Sequence, residues 1–306
     1  MSKKINVLSL FDGVSCGQIA LNKLGVEYDN YYAAEIDKPA ISITQKNYPK
    51  TIQLGDVYTA KYKELPKIDL IFGGSPCTYW SISKKNRETS SEGIGFDLFR
   101  QYVRALEECK PKYFLYENNN SIHQDIKDEI SKYLGVQPIM IDSHFLSPQS
   151  RKRCYWTNIP NIQKPIDKGI LVKDILESNE IWNKGTNYIK NDNEIIWTNS
   201  KRNPSTLYGK SVRLGHIGNG GQGRRIYSIN GKSVNLVTGG ASFYKTFSEN
   251  GDIIVRNLTP VECERLQTVP DNYTEGFSKT ERYKMLGNGW TVDVIAHILS
   301  HIPKED

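Results

Sequence analysis

Three short stretches of this 306-residue chain carry residue types that can do chemistry. In Gly73-Gly74-Ser75-Pro76-Cys77 a thiol follows a glycine pair and a proline, directly after the apolar run 68–72. Glycines let backbone come close to whatever lies above them, and proline stiffens the turn. A cysteine there is either a nucleophilic thiolate on a rigid mount or a small apolar residue that closes a strand. In the second stretch, Glu117-Asn118 follows the apolar run 112–116, which puts a carboxyl at a strand tip. A glutamate at the mouth of an apolar strand is a candidate acid with a raised pKa. The third is Gln149-Ser150-Arg151-Lys152-Arg153. Alternate residues of a strand share a face, so Arg151 and Arg153 are expected side by side, suited to a base carbonyl, a phosphate or a carboxylate.

The elements that must hold these groups follow from the apolar pattern. Residues 5–10 read as a strand, Phe11-Asp12-Gly13-Val14-Ser15-Cys16-Gly17 as a tight turn, and 18–24 as a helix ended by Gly25. This is the first half of a nucleotide-type α/β unit. It lacks the G-x-G-x-x-G spacing of dinucleotide sites and the Gly-Lys-Ser/Thr of a phosphate loop. A second strand over 31–36 ends in Glu35-Ile36-Asp37, and a third over 51–54 ends in Gly55-Asp56-Val57. A carboxylate about 20 residues after a glycine turn suits a ribose diol. Asp56 can accept from an adenine amino group or simply form a turn. Together Gly13, Glu35 and Asp56 describe an adenosine-containing cofactor across a strand crest. Helices are expected over 39–47, 96–109 and 122–134, with strands at 68–72, 112–116 and 136–141 and around Arg151 and Arg153. If the strands before Cys77 and Glu117 are neighbours, thiol and carboxyl share one crevice.

Two regions depart from this regularity. Residues 81–95 are polar, with Ser81, Lys84 and Arg87, and suit a mobile lid over a phosphate backbone. From about Pro165 to residue 254 apolar periodicity fades, and Arg202, Arg224, Arg225 and Tyr227 lie among glycines and asparagines. Such side chains reach base edges and phosphates, or they are the solvated charges of a loop-rich β module. Order returns at Thr259-Pro260 with Glu262, a helix start with its cap, and again at 282–302, where Gly287 and Gly289 suggest another close-approach turn. The five cysteines are scattered, odd in number and without a Cys-x-x-Cys pair, which argues against a disulfide framework or zinc site and for a reducing cytoplasm. No apolar run is long enough to cross a bilayer. The net charge of +6 permits a polyanionic partner without demanding one.

Taken in order, these pieces resemble the DNA (cytosine-5) methyltransferase family over nearly the whole chain. The resemblance rests on Phe11-Asp12-Gly13 to Gly17, Glu35, Gly55-Asp56-Val57, Gly73 to Cys77, Glu117-Asn118, Gln149 to Arg153, Arg256 to Leu258 with Glu262 and Arg265-Leu266-Gln267, and Gly287-Asn288. Ser-Leu-Phe-Asp-Gly, Gly-Gly-Ser-Pro-Cys and Trp290 look most like the animal de novo enzymes; the compact length looks bacterial or phage-like. Three departures stand out: Ser15-Cys16 where many relatives have a second glycine, Asn119-Asn120 where a valine is usual, and Asn235-Leu236 as the nearest match to a Thr-Leu pair.

The resemblance implies an α/β, Rossmann-like S-adenosylmethionine-dependent methyltransferase fold with a smaller, loop-rich β target recognition domain inserted. Its parts would be a catalytic domain over 1–164, the recognition domain over 165–254 and a completing catalytic part over 255–306. It implies S-adenosylmethionine as cofactor, held by Phe11, Asp12, Gly13, Val14, Cys16, Glu35, Ile36, Asp56, Val57, Ser75, Pro76, Leu98, Asn288, Gly289 and Trp290. Cys77 would add to C6 of a flipped-out cytosine, Glu117 would hold N3 and the exocyclic amine, and Arg153 with Arg151 would anchor the O2 side and the catalytic strand. Ser81, Lys84, Arg87, Gln149, Arg202, Arg224, Arg225 and Tyr227 would meet double-stranded DNA. No metal and no membrane are implied, the location would be cytoplasmic and nucleoid-associated, and a cognate restriction endonuclease could accompany the chain. A transfer-RNA cytosine methyltransferase and a non-catalytic DNA-binding relative stay open as alternatives.

Overall fold

The computed structural model describes residues 4–81, 86–178, 188–189, 195–198, 210–240, 242–248, 251 and 253–303. They form two compact units. The first takes its described residues from 1–141, 152–164 and 295–306, the second from 142–151 and 165–294.

The first unit is built on a seven-stranded sheet with β1 (Ile5–Leu10) near its middle. Val7, Leu8 and Leu10 are fully buried, as an inner parallel strand covered on both faces requires. The other strands are β2 (Tyr28–Ala34), β3 (Ile52–Gln53), β4 (Leu70–Gly73), β5 (Tyr113–Asn119), β6 (Ile139–Asp142) and β7 (Lys152–Thr157). Their order is β3-β2-β1-β4-β5-β7-β6. The order reverses between β1 and β4, so the carboxyl ends of these two strands are where an open α/β sheet places its ligand. Leu10 pairs with Gly73 there, and a Cβ on Gly73 would stand 2.5 Å from the Leu10 carbonyl oxygen. Only glycine lets the two strand ends come this close.

Helices α1 (Cys16–Lys23), α2 (Lys38–Asn47), α3 (Ile94–Cys109) and α4 (Gln124–Leu134) connect the strands. On α3, Phe96, Phe99 and Tyr102 are buried, and the Phe99 and Tyr102 rings pack 5.1 and 4.9 Å from Tyr116 of β5. With Trp80, Trp156 and the β1 leucines they form the core beneath the strand ends.

The second unit has a six-stranded sheet of β8 (Tyr188–Ile189), β9 (Ile195–Trp197), β10 (Arg213–Ile217), β11 (Arg225–Ser228), β12 (Phe243–Phe247) and β13 (Ile253–Asn257), in the order β8-β13-β12-β11-β10-β9. The boundary expected at 254/255 falls inside β13, whose five residues all pair with β12. Helix α5 (Pro260–Leu266) begins as the sequence suggests: the Thr259 hydroxyl accepts from Glu262 N, and the Glu262 carboxylate accepts from Thr259 N. That carboxylate also takes both Nη groups of Arg256 at 2.7 Å in a fully buried fork. Helix α6 (Lys279–Asn288) starts earlier than the expected block at 282, because Ser278 and Glu281 form a second capping box. Helix α7 (Val292–Leu299) follows.

Candidate active site

In the first unit, β4 ends at Gly73 and the chain runs through Ser75 and the exposed Pro76 into a short 3-10 turn, Cys77–Tyr79. The Cys77 carbonyl accepts from Trp80 N and Ser81 N, and the Trp80 ring is fully buried, so the cysteine backbone is anchored. β5 holds the other side of this loop. The Ser75 and Tyr116 hydroxyls are 2.6 Å apart, and Asn118 Nδ2 donates to the Ser75 carbonyl at 3.1 Å. Ser75 thus acts here as a brace for the cysteine loop, and Asn118 is a site residue that the sequence reading quoted but gave no task. Of the five cysteines Cys77 and Cys109 are partly exposed, whereas Cys16, Cys154 and Cys263 are buried. Burial pushes the Cys109 thiol up to about 11 and raises those of Cys154 and Cys263, which suits inert thiols.

β4 and β5 are parallel neighbours, so the strands before Cys77 and Glu117 do lie side by side. Glu117 differs from expectation in one respect. β5 continues to Asn119 because antiparallel β7 pairs with it, setting Glu117 opposite Tyr155 and Asn119 opposite Arg153. Glu117 is therefore past the last β4 partner, Gly73 opposite Tyr116, yet inside the ladder with β7. Arg153 Nε lies 3.0 Å from Glu117 Oε1, with both side chains about nine-tenths buried. The guanidinium fixes the carboxylate in orientation.

The Phe11–Gly17 turn leaves β1 beside this loop. Phe11, Gly13 and Ser15 have φ of 55°, 57° and 61°, so the backbone is left-handed at alternate positions, two of them not glycine. Gly17 lets α1 lie against β4, since a Cβ there would be 2.1 Å from the Phe72 ring. Glu35 Oε2 accepts from Gly13 N at 2.7 Å and Oε1 from Ile36 N and Asp37 N at 2.8 Å, which fixes the carboxylate at the end of β2. Asp56 Oδ1 accepts from Tyr58 N, the turn-forming role. Asp12 receives a hydrogen bond from the Tyr31 hydroxyl at 2.8 Å, while its Oδ2 is buried without a hydrogen-bond partner. Burial raises the Asp12 carboxyl from 3.8 to about 6, despite the hydroxyls of Ser9, Ser15 and Tyr31. The crest has the features an adenosine-containing group needs. A Cβ at Gly13 or Gly55 would meet nothing within 4 Å, and Ile36 offers an apolar surface 69% exposed. Val14, Cys16 and Val57 are buried, and Leu98 is half-buried against the core.

Arg151 is in a different setting from Arg153. It precedes β7 and belongs to the second unit. Its Nη1 donates to Asn235 Oδ1 and the Leu236 carbonyl, and its Nη2 to the carbonyls of Gly287 and Gly289, all at 2.9–3.0 Å. The two guanidiniums expected on one face are thus committed to different partners. Gln149, expected at DNA, is fully buried with its amide bonded to Leu236 N, Gln267 and the Leu266 carbonyl. Tyr227 is also buried, packed beside Tyr244. Arg224 is exposed, Arg225 half-buried, and Arg87 donates to the Ser121 carbonyl at 2.7 Å. Ser81 is partly exposed; Lys84 and Arg202 lie outside the described residues. Asn288 is exposed at the end of α6, with Gly289 and Trp290 half-buried after it. Among the described residues no group of three His, Cys, Asp or Glu side chains is placed to hold a metal ion, and no helix is long and apolar enough to cross a membrane.

The first unit is thus an α/β sheet with its switch point at β1 and β4, a cysteine loop there, and a carboxylate on β5 paired with a guanidinium on β7. The C-5 cytosine-specific DNA methylase family matches residues 5–304, and the chain belongs to that family of DNA methyltransferases. It is 30% identical over 322 residues to the Type II methyltransferase M.HhaI of Haemophilus parahaemolyticus, covering 97% of this chain and 94% of that one. It is 24% identical over 338 residues to the Type II methyltransferase M.Bsp6I of a Bacillus species, covering 98% and 99%. Among solved structures, the Entamoeba histolytica methyltransferase EhMeth shares the fold at a TM-score of 0.69, with 17% identity and 98% of each chain covered.

Proposed function

We propose that this chain transfers a methyl group to C5 of a cytosine turned out of duplex DNA, within a short target sequence, through a covalent bond between Cys77 and C6. The observation that carries the reading is the braced Cys77 loop beside β5, whose Glu117 is paired with Arg153 of β7. C6 of cytosine is a poor electrophile, so attack needs a thiolate and an acid together. Cys77 forms the bond to C6. Glu117, oriented by Arg153, gives N3 a hydrogen bond or proton so that negative charge does not build up on the ring, and accepts from the exocyclic amine. C5 becomes nucleophilic as a result. After transfer, loss of the C5 proton and of Cys77 restores the aromatic ring.

S-adenosylmethionine supplies the electrophilic methyl group. In the first unit Glu35 would hold its ribose hydroxyls, Gly13 would allow close approach, and Ile36 would cover a base face. The resemblance also implies cofactor roles for Asn288, Gly289 and Trp290. Arg224 and the basic side chains of 165–254 would read the duplex. Turning the base out costs a few kcal/mol, which contacts to the phosphate backbone must offset.

A whole-genome cytosine methylation map in a methylation-free bacterial host tests this. The chain should methylate one short motif, and Cys77→Ala should abolish methylation while duplex binding remains. An unmethylated genome, or methylation by the alanine variant, would overturn the reading.

A further inference from the structure

Two buried polar routes inside the second unit join the same two peptide segments. In one, Leu236 N donates to Gln149 Oε1 at 2.6 Å, Gln149 Nε2 donates to Gln267 Oε1 at 3.1 Å, and Gln267 Nε2 donates to the carbonyls of Leu286 and Gly289 at 2.7 and 3.2 Å. In the other, Arg151 spans from the Leu236 carbonyl to the Gly289 carbonyl, with one guanidinium nitrogen for each end. Both routes start at Leu236 and finish at Gly289. Gln149 and Gln267 are fully buried and Arg151 is 6% exposed, so water does not stand in for a broken link. The backbones also touch directly, since a Cβ on Gly287 would stand 2.6 Å from Val237 C and Thr238 N. What the routes join differs in exposure. Residues 237–239 form an exposed tip closed by Gly240 N donating to the Val237 carbonyl, whereas 287–290 is the end of α6.

We infer that Arg151 and the Gln149–Gln267 amide pair are positioning residues that couple the 237–240 turn to the 287–290 turn, so that duplex DNA at the first and S-adenosylmethionine at the second strengthen each other's binding. The inference rests on the function proposed above, which puts the cofactor at 288–290 and DNA on the recognition segment. A shift of the Gly289 peptide toward a ligand either carries Leu236 with it or breaks links in both routes. Such coupling is reciprocal: the factor by which DNA tightens the cofactor equals the factor by which the cofactor tightens DNA.

The first test uses the unaltered protein. Hydrogen–deuterium exchange is followed with S-adenosylhomocysteine alone, without DNA. Exchange should slow at 288–290 and also at the Leu236 and Gly240 amides. Protection at 288–290 with none at 234–240 would overturn the coupling while leaving the cofactor reading intact; protection at neither would overturn both. The second test is Arg151→Lys, which keeps a buried cation but has one nitrogen in place of a fork and holds only one end. By calorimetry, S-adenosylhomocysteine should bind the parent at least roughly fivefold more tightly when the target duplex is present. In Arg151→Lys that factor should fall toward one, with each ligand still binding alone. An unchanged factor in the variant, or none in the parent, would refute the inference.

Discussion

Replacing Asp12 with asparagine should stabilise the protein at neutral pH, by an amount that depends on pH in a defined way. The Asp12 carboxyl is pushed from 3.8 to about 6, first by burial and slightly by the Glu35 charge. The folded state therefore holds this proton more tightly than the unfolded chain does. Stability from this group is greatest below its ordinary value, falls as pH rises from about 4 to about 6, and is flat above. At ~1.4 kcal/mol per tenfold change in acidity constant, ionised Asp12 costs on the order of 3 kcal/mol at pH 8. About half of that, ~1.4 kcal/mol, develops between pH 5 and pH 8, because the unfolded chain is already ionised at pH 5. Asparagine keeps the shape and an acceptor for the Tyr31 hydroxyl, and its amide can donate to Ser9 or Ser15 nearby. Urea denaturation of parent and Asp12→Asn at pH 5 and pH 8 measures the difference. The variant's advantage should grow between the two values. An advantage that is equal at both, or that shrinks toward pH 8, would mean that Asp12 is not held in the buried setting described.

Two further substitutions test the packing around the site. Gly17→Ala brings a Cβ to 2.1 Å from the Phe72 ring, between α1 and β4, and should cost about 1–3 kcal/mol in urea denaturation; parent-like stability would contradict the close approach. Arg153→Met leaves the Glu117 carboxylate buried without its cation and should cost about 3–5 kcal/mol. Glu117→Gln added to Arg153→Met should recover part of that loss without restoring methyl transfer, and a strictly additive double variant would show that the pair does not interact.

Much of this site is visible in the sequence because inner parallel strands read as apolar runs that stop at glycine. That pattern is enough to find β1, β4 and β5 and to set Cys77 and Glu117 just past strand runs, while the pairing of β4 with β5 is a property of the fold. The pattern misjudges the end of β5, since the residues that lengthen it come from β7, more than thirty positions later, and carry no local mark at Glu117. The capping boxes at Thr259 and Ser278 are both local, three-residue signals. The second is present in the sequence as Ser278 and Glu281, just ahead of the ordered block expected at 282–302. Arg151 and Gln149 are the harder cases. Alternation in a strand pairs Arg151 with Arg153, and the family resemblance implies a DNA contact for Gln149. Their partners lie 84 to 138 residues along the chain for Arg151 and 87 to 118 for Gln149, and are mostly backbone atoms, which no side-chain pattern reveals.

The central claim is that Cys77 forms a bond to C6 of the target cytosine. It is tested most directly with a duplex that carries 5-fluorocytosine at the methylated position and S-adenosylmethionine in the mixture. Fluorine at C5 cannot leave as a proton does, so the ring cannot expel the thiol after methylation. Mass spectrometry of the digested product should show one peptide, the one containing Cys77, carrying the methylated fluorocytosine nucleotide, and none from Cys77→Ala. A methylated duplex with no adduct, or an adduct on Cys16, Cys109, Cys154 or Cys263, would contradict the account.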